Sequence, residues 1–251
     1  MPLLDFLSDM AGGKRGMKEY AEKLQLFLTD GKLSPVEAKA LEEIAGRYGL
    51  SPKEMKKLQA VSIGNVYTTM AEDERITEEE KQALQDLVTH FGVSLEQTAF
   101  NQKEFLKYYT LALIENGLLP EFTKRERKIA MVFRDGEILH WVCPATLRRF
   151  VKVQGDERKF GKDEPYEVGM ATHGSALKTE DRGSFYLTNE RIGFLGRIKQ
   201  FGMGYGSIHA ATVGKNGLTI FAKKRQNPYV VTLDDYDVPC SILSFIVNKR
   251  Y

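Results

Sequence analysis

The stretch LTDGKLSPVE, beginning at Leu28, carries side chains that a calcium loop would use. An EF-hand loop runs for about twelve residues, with oxygen ligands at alternate positions and at its end, and a glycine at its sixth position. With Gly31 as that glycine, Asp30, Ser34 and Glu37 fall on ligand positions, but Leu26 and Leu28 fall on the first and third. Leucine offers no oxygen, so half of the cage is missing. Catalytic chemistry is equally thin. His140 and Cys143 lie three residues apart, which in a strand puts them on opposite faces, and His90, His173 and His209 have no companions. Gly13-Lys14-Arg15-Gly16 lacks the spacing of a phosphate loop, and Phe201-Gly202-Met203-Gly204-Tyr205-Gly206 reads as a bent strand or loop. No catalytic residue, enzymatic activity or cofactor is expected.

The cations are more suggestive. Arg197 and Lys199 follow one hairpin, Lys215 tips another, and Lys223, Lys224 and Arg225 begin a third turn. On a shared rim these six would suit anionic lipid headgroups or an acidic protein surface; on separate turns they only solubilise. The first turn, Arg134-Asp135-Gly136-Glu137, is net negative and unsuited to a headgroup.

What must position these residues begins with a repeat. DGKLSPVEAKALEEIAGRYGLS from Asp30 aligns without gaps to DERITEEEKQALQDLVTHFGVS from Asp73. Leu41, Ile44 and Tyr48 correspond to Leu84, Leu87 and Phe91 on one helical stripe, and Gly49 and Gly92 follow where a helix end favours positive φ. Ser34 with Glu37, and Thr77 with Glu80, form capping boxes. In the second copy Thr69, Ala71 and Glu74 spoil the calcium register further. Helices are predicted over 16–28, 35–48, 52–70, 78–91 and 95–115. The doubled pattern, DG-x-h-S-x-x-E-x-x-x-L-x-x-h-A-x-x-x-G-h, resembles the TerB-like (tellurite-resistance type) helical domain over about residues 16–115. The resemblance implies a small helical module of multidomain proteins tied to stress response and the membrane. It also implies metal binding through acidic residues in some members, carried here onto Asp30, Glu37, Asp73 and Glu80. By their own chemistry the same residues favour helix starts.

After Pro120 the period changes from helical to near two. KIAMVFRDGEILHWV predicts a hairpin across Asp135-Gly136, with a third extended segment after Pro144. Another hairpin turns at Thr188-Asn189-Glu190, one at Asn216-Gly217 as a type I′ turn, and one across Arg225-Gln226-Asn227-Pro228. A closing helix follows Pro239. Gly183, the run Tyr186-Leu187-Thr188-Asn189-Glu190-Arg191-Ile192-Gly193-Phe194, Ile208 and Asn216-Gly217-Leu218 resemble the bacterial PH-like and GRAM-like domains over about residues 125–251. The expected fold class is therefore α+β in two domains. A segment 1–15 precedes an all-α TerB-like domain over 16–120, and a PH-like small β-barrel capped by a helix covers 121–251.

Composition sets the remaining bounds. The net charge of +2 conceals an acidic stretch up to Pro120 and a basic remainder. Two cysteines, Cys143 and Cys240, give no ligand cluster and suit a reducing interior. No apolar run reaches membrane-span length, so a cytoplasmic home is the default, with Leu3, Leu4, Phe6 and Leu7 expected to form a short amphipathic helix docked on the protein. The expected function is a non-enzymatic adaptor that binds protein partners near the inner membrane surface in a stress-response setting. The alternatives are a peripheral anionic-lipid binder using the basic rim and a metal-responsive sensor using the acidic helix starts. Nucleic acid is not an expected partner, because the positive excess is modest and the aromatics read as strand core.

Overall fold

Three helices start on one device. Ser34, Ser51 and Thr77 each accept the N–H of a glutamate three residues on, and that glutamate reaches back to the capping residue's own N–H. The computed structural model describes residues 15–98, 100–123, 131–152 and 175–249. The N-terminal segment, the strand expected at Lys128–Ala130 and His173 lie outside the described residues. Two compact units result, Met1–Leu113 and Ile114–Tyr251.

In the first unit, α1 is Arg15–Phe27, α2 Pro35–Tyr48, α3 Pro52–Met70 and α4 Glu78–Phe91, and α5, Gln102–Glu115, belongs to it up to Leu113. The bounds of α2, α3 and α4 match the predicted ones, and the Ser51 cap of α3 adds a third capping box to the two the sequence announced. α2 and α4 both end on a left-handed glycine, Gly49 at φ 59° and Gly92 at φ 58°. The repeat extends to the turns before them. Asp30 accepts from the Lys32 N–H at 3.0 Å and Asp73 from the Arg75 N–H at 2.9 Å. Between each pair the chain turns left-handed, at Gly31 with φ 75° and at Glu74 with φ 59°. The stripes meet in a core that includes Leu24, Leu41, Leu58, Ile63, Ile76 and Leu84. The predicted helix over 95–115 is corrected: Leu95–Gln97 is a separate 3-10 turn, and α5 begins only at Gln102. Asn101 dictates that start, because its Oδ1 accepts the Glu104 N–H at 3.2 Å and its amide donates to the Glu104 carboxylate at 3.1 Å.

Among its described residues the second unit holds seven antiparallel strands: β1 Leu139–Lys152, β2 Ser175–Thr188, β3 Arg191–Gly196, β4 Gln200–Gly204, β5 Ile208–Gly214, β6 Gly217–Ala222 and β7 Tyr229–Leu233, followed by α6, Asp237–Lys249. Their order in the sheet is β4-β3-β2-β1-β7-β6-β5. The two edge strands, β4 and β5, are consecutive in the chain and joined by the turn Tyr205–Ser207, so the sheet must curl. Phe201 of β4 duly stacks on Tyr229 of β7 with ring centroids 3.9 Å apart, although β3, β2 and β1 lie between them in the ladder. The result is an antiparallel half-barrel with Phe185, Leu187, Ile192, Phe194 and Ile220 fully buried. α6 adds Val238, Ile242, Leu243 and Ile246 to the buried set.

Three strand expectations change. Residues 131–134 are not a strand; the Asp135-Gly136 turn exists, but β1 pairs with β2 from Leu139 onward. Pro144 does not begin a new segment, because β1 runs straight through it. It pairs opposite Ser184 one residue before the β7 ladder begins at Ala145, so one side of the strand needs no donor there. The β5–β6 turn is centred on Lys215-Asn216, not Asn216-Gly217, since Gly214 pairs with Gly217. Gly217 leaves the turn at φ 111°, and a Cβ there would sit 2.6 Å from the Val231 carbonyl oxygen. No other residue type fits both demands.

Candidate functional site

The Thr188-Asn189-Glu190-Arg191 motif turns out to build a clasp. Glu137, whose side chain is completely buried, accepts from Arg191 Nε at 2.7 Å, from Arg191 Nη2 at 3.0 Å and from the Thr188 hydroxyl at 2.8 Å. The Arg134 N–H donates at 2.9 Å to Oε2, the oxygen that also accepts from Arg191 Nη2. Asn189 bonds Ile138 through both side chain and backbone, and its amide donates to the Gly136 carbonyl at 3.0 Å. Arg134 pairs with Glu190 at 3.1 Å. Burial pushes the Glu137 carboxyl up, but the bonds from Arg191, Arg134 and Thr188 outweigh it and hold the group below its ordinary range. The first turn is acidic because it is fastened from beneath.

The cations do not share one rim. Lys215 and the Lys223-Lys224-Arg225 group lie at opposite ends of the β5–β6 hairpin, separated by a six-residue strand of roughly 20 Å. Arg225 is engaged: it donates to the Asn227 carbonyl at 2.8 Å and to Tyr229 Oη at 3.1 Å, and its guanidinium lies 4.0 Å from the Tyr229 ring centre. Arg197 and Lys199 flank Ile198 on the β3–β4 turn. That turn is fixed by Asp181, which accepts the Ile198 and Lys199 N–H groups at 2.6 and 2.7 Å. These bonds hold the Asp181 carboxyl below its ordinary range.

The acidic helix starts converge only in part. Asp30 and Glu80 line one cavity of about 430 Å³ together with Ser62, whereas Glu37 and Asp73 do not line it. Glu37 and Glu80 each accept two bonds from their own capping residues. Among the described residues no group of three or more His, Cys, Asp or Glu is placed to hold a metal ion.

A further feature gathers residues that the sequence reading named only singly, among them Ile208, His209, Leu218 and Cys240. Among the described residues β5 pairs with β6 alone, and beside its open edge runs a groove of about 670 Å³ toward α6. Its walls are largely apolar, including Ile208, Ala210, Leu218, Leu243 and Val247, with His209 and Asn248 also lining it. Cys240 lines it too, but burial pushes its thiol up to about 11, leaving it protonated and a poor nucleophile. The apolar stripe of α6 was readable; that β5 is an edge was not, because strand order is not a local property. His140, weighed above as half of a nucleophile pair, is buried with Nδ1 2.7 Å from the Pro120 carbonyl oxygen. Burial likewise raises the Cys143 thiol to about 11. No helix among the described residues is long and apolar enough to cross a membrane. Comparison of the chain with protein-family models gives no match, and neither does comparison with curated proteins.

Proposed function

We propose that this chain is a non-enzymatic adaptor, a TerB-like helical module joined to a PH-like module, that binds protein partners through the second unit. One observation carries the reading: an unpaired sheet edge borders an apolar groove of the size that holds peptide side chains. Edges of this kind are normally blunted by charge, proline, a bulge or a covering element, and β5 carries only a bulge near its start, at His209. The stress-response setting follows only from the helical resemblance.

The test is a photo-crosslinking amino acid placed at Val213 on the edge and, as control, at the exposed Arg182 of β2 in the full chain. Discrete partners are expected at Val213 and not at Arg182, and Val247→Trp, which fills the groove, is expected to reduce their yield at least fivefold. Equal yields at both positions, or indifference to Val247→Trp, would sink the adaptor reading.

A second reading, peripheral binding to anionic lipid, is favoured by the β3–β4 turn. Ile198 is 75% exposed between Arg197 and Lys199, an aliphatic tip flanked by cations on a turn that Asp181 fixes. Sedimentation with phosphatidylserine vesicles should capture the protein and should fail after Arg197→Glu, Ile198→Asp and Lys199→Glu together. Capture that is independent of lipid charge removes this reading.

A further inference from the structure

We propose that the β5 edge accepts an extended segment of a partner protein as an eighth strand, and that it selects segments with aliphatic side chains at alternate positions and acidic residues at both flanks. The inference rests on the adaptor reading and specifies its ligand.

The hydrogen-bonding part comes from the edge itself. β5 carries a bulge at His209, where Ile208 pairs with Ala222 and Ala210 with Phe221. Beyond the bulge, Ala210–Gly214 is a regular stretch containing neither proline nor charge. Ala211, Thr212, Val213 and Gly214 are exposed. Every second residue of this stretch turns its N–H and C=O away from β6, so an incoming strand would find two or three such residues on which to pair, at about 4.8 Å from β5.

Side-chain selection comes from the groove. Strand side chains alternate between faces, so every second residue of an added strand points toward the cleft beside α6 and the others toward solvent. The cleft offers Leu218, Leu243 and Val247, and among the described residues no carboxylate or lysine lines it, so aliphatic side chains are the ones it desolvates without loss. Its volume of about 670 Å³ accommodates two or three such groups.

The flanks follow from charge. Lys215 adjoins the far end of β5, while Lys223 and Lys224 stand at its near end, where the Lys223 N–H donates to the Ser207 carbonyl at 2.9 Å. A cation therefore brackets each end of the open edge, and all three lysines are exposed. The same arrangement argues against a second copy as occupant. An antiparallel β5–β5 pair would set Lys215 of one chain beside Lys223 and Lys224 of the other, and a parallel pair would set like against like. Acidic flanks complement both ends, whichever direction the segment runs.

The test uses the full chain and a fluorescein-labelled nonapeptide, DEVTVTVDE, titrated by fluorescence anisotropy. Saturable binding is expected, weakened at least tenfold in the lysine-flanked peptide KKVTVTVKK, in DEVTPTVDE, whose proline removes a strand donor, and in the surface variant Lys215→Glu with Lys223→Glu and Lys224→Glu. Val247→Trp is expected to weaken it comparably, with circular dichroism showing that each variant keeps its fold. No saturation up to roughly 1 mM peptide, a concentration beyond weak specific binding, overturns the proposal, as does equal affinity for acidic and lysine-flanked peptides. A concentration-dependent dimer lost on edge substitution overturns it as well, by naming a second copy as occupant. Crosslinks at Val213 without peptide binding would overturn the ligand assignment while leaving the adaptor standing. Loss of both removes both.

Discussion

At the scale of the residue, the most consequential contact in the sheet unit is the ion pair of Glu137 with Arg191. Its carboxylate is wholly buried and its guanidinium only 18% exposed, so each depends on the other for solvation. Deleting one partner strands the other, a change that typically costs about 3 to 5 kcal/mol. Arg191→Met is accordingly expected to destabilise the sheet unit by about 3 kcal/mol, measured by urea unfolding. The pH dependence has a definite sign. The folded Glu137 carboxyl lies below its ordinary value of 4.5, so its contribution is complete above that value and fades as pH falls through the folded pKa. Glu137→Gln should therefore flatten the loss of thermal stability below about pH 4.5. An unchanged acid slope would show that this pair is not what acid breaks. The sequence singled out Thr188, Asn189, Glu190 and Arg191 as one run and Arg134 to Glu137 as an acidic turn, yet the clasp itself was invisible, because Glu137 and Arg191 are brought together by tertiary structure rather than by spacing.

At the scale of the element, the helices were legible where their signals are local. Ser34, Ser51 and Thr77 with their glutamates, and Gly49 and Gly92 at the ends, define α2, α3 and α4 within a few covalent bonds. The start of α5 was missed because Asn101 caps it inside a stretch whose apolar spacing continues unbroken from Leu95. Strands fared less well for the same reason in reverse. β1 pairs on one side with β2 and on the other with β7, far along the chain, and neither choice is written in β1. An Asp-Gly pair advertised a hairpin that the clasp converts into a docked turn. The repeat, by contrast, proves deeper than its letters: Glu74 holds the left-handed conformation that Gly31 holds in the first copy. For a residue with a Cβ that conformation costs roughly 1 to 2 kcal/mol. Glu74→Gly should stabilise the helical unit by about 1 kcal/mol, seen as a higher urea midpoint in the 222 nm circular dichroism. No shift, or a lower midpoint, would mean that the turn is unstrained as it stands.

At the scale of the whole molecule, the two units report through different spectroscopic channels. The single tryptophan, Trp141, lies in β1, whereas most of the helix belongs to the first unit. Leu24 is fully buried in the helical core, and truncating such a side chain costs about 3 kcal/mol. Leu24→Ala should lower the transition seen by circular dichroism while leaving that of Trp141 fluorescence within about 1 °C, given the scale of several degrees per kcal/mol for domains of this size. Equal displacement of both signals would show that the chain unfolds as one cooperative body.

The position of β1 between β2 and β7 also bears on how the protein is made. The helical contacts close between neighbours in sequence, so the first unit can assemble while the rest of the chain is still being synthesised. The sheet cannot: its central strand waits for Tyr229–Leu233, and its interior for Asp237–Lys249, which leave the ribosome after all six other strands. Until then β1 presents an unfinished edge to the cell, and a truncation that removes β7 together with the final helix would leave it so for good.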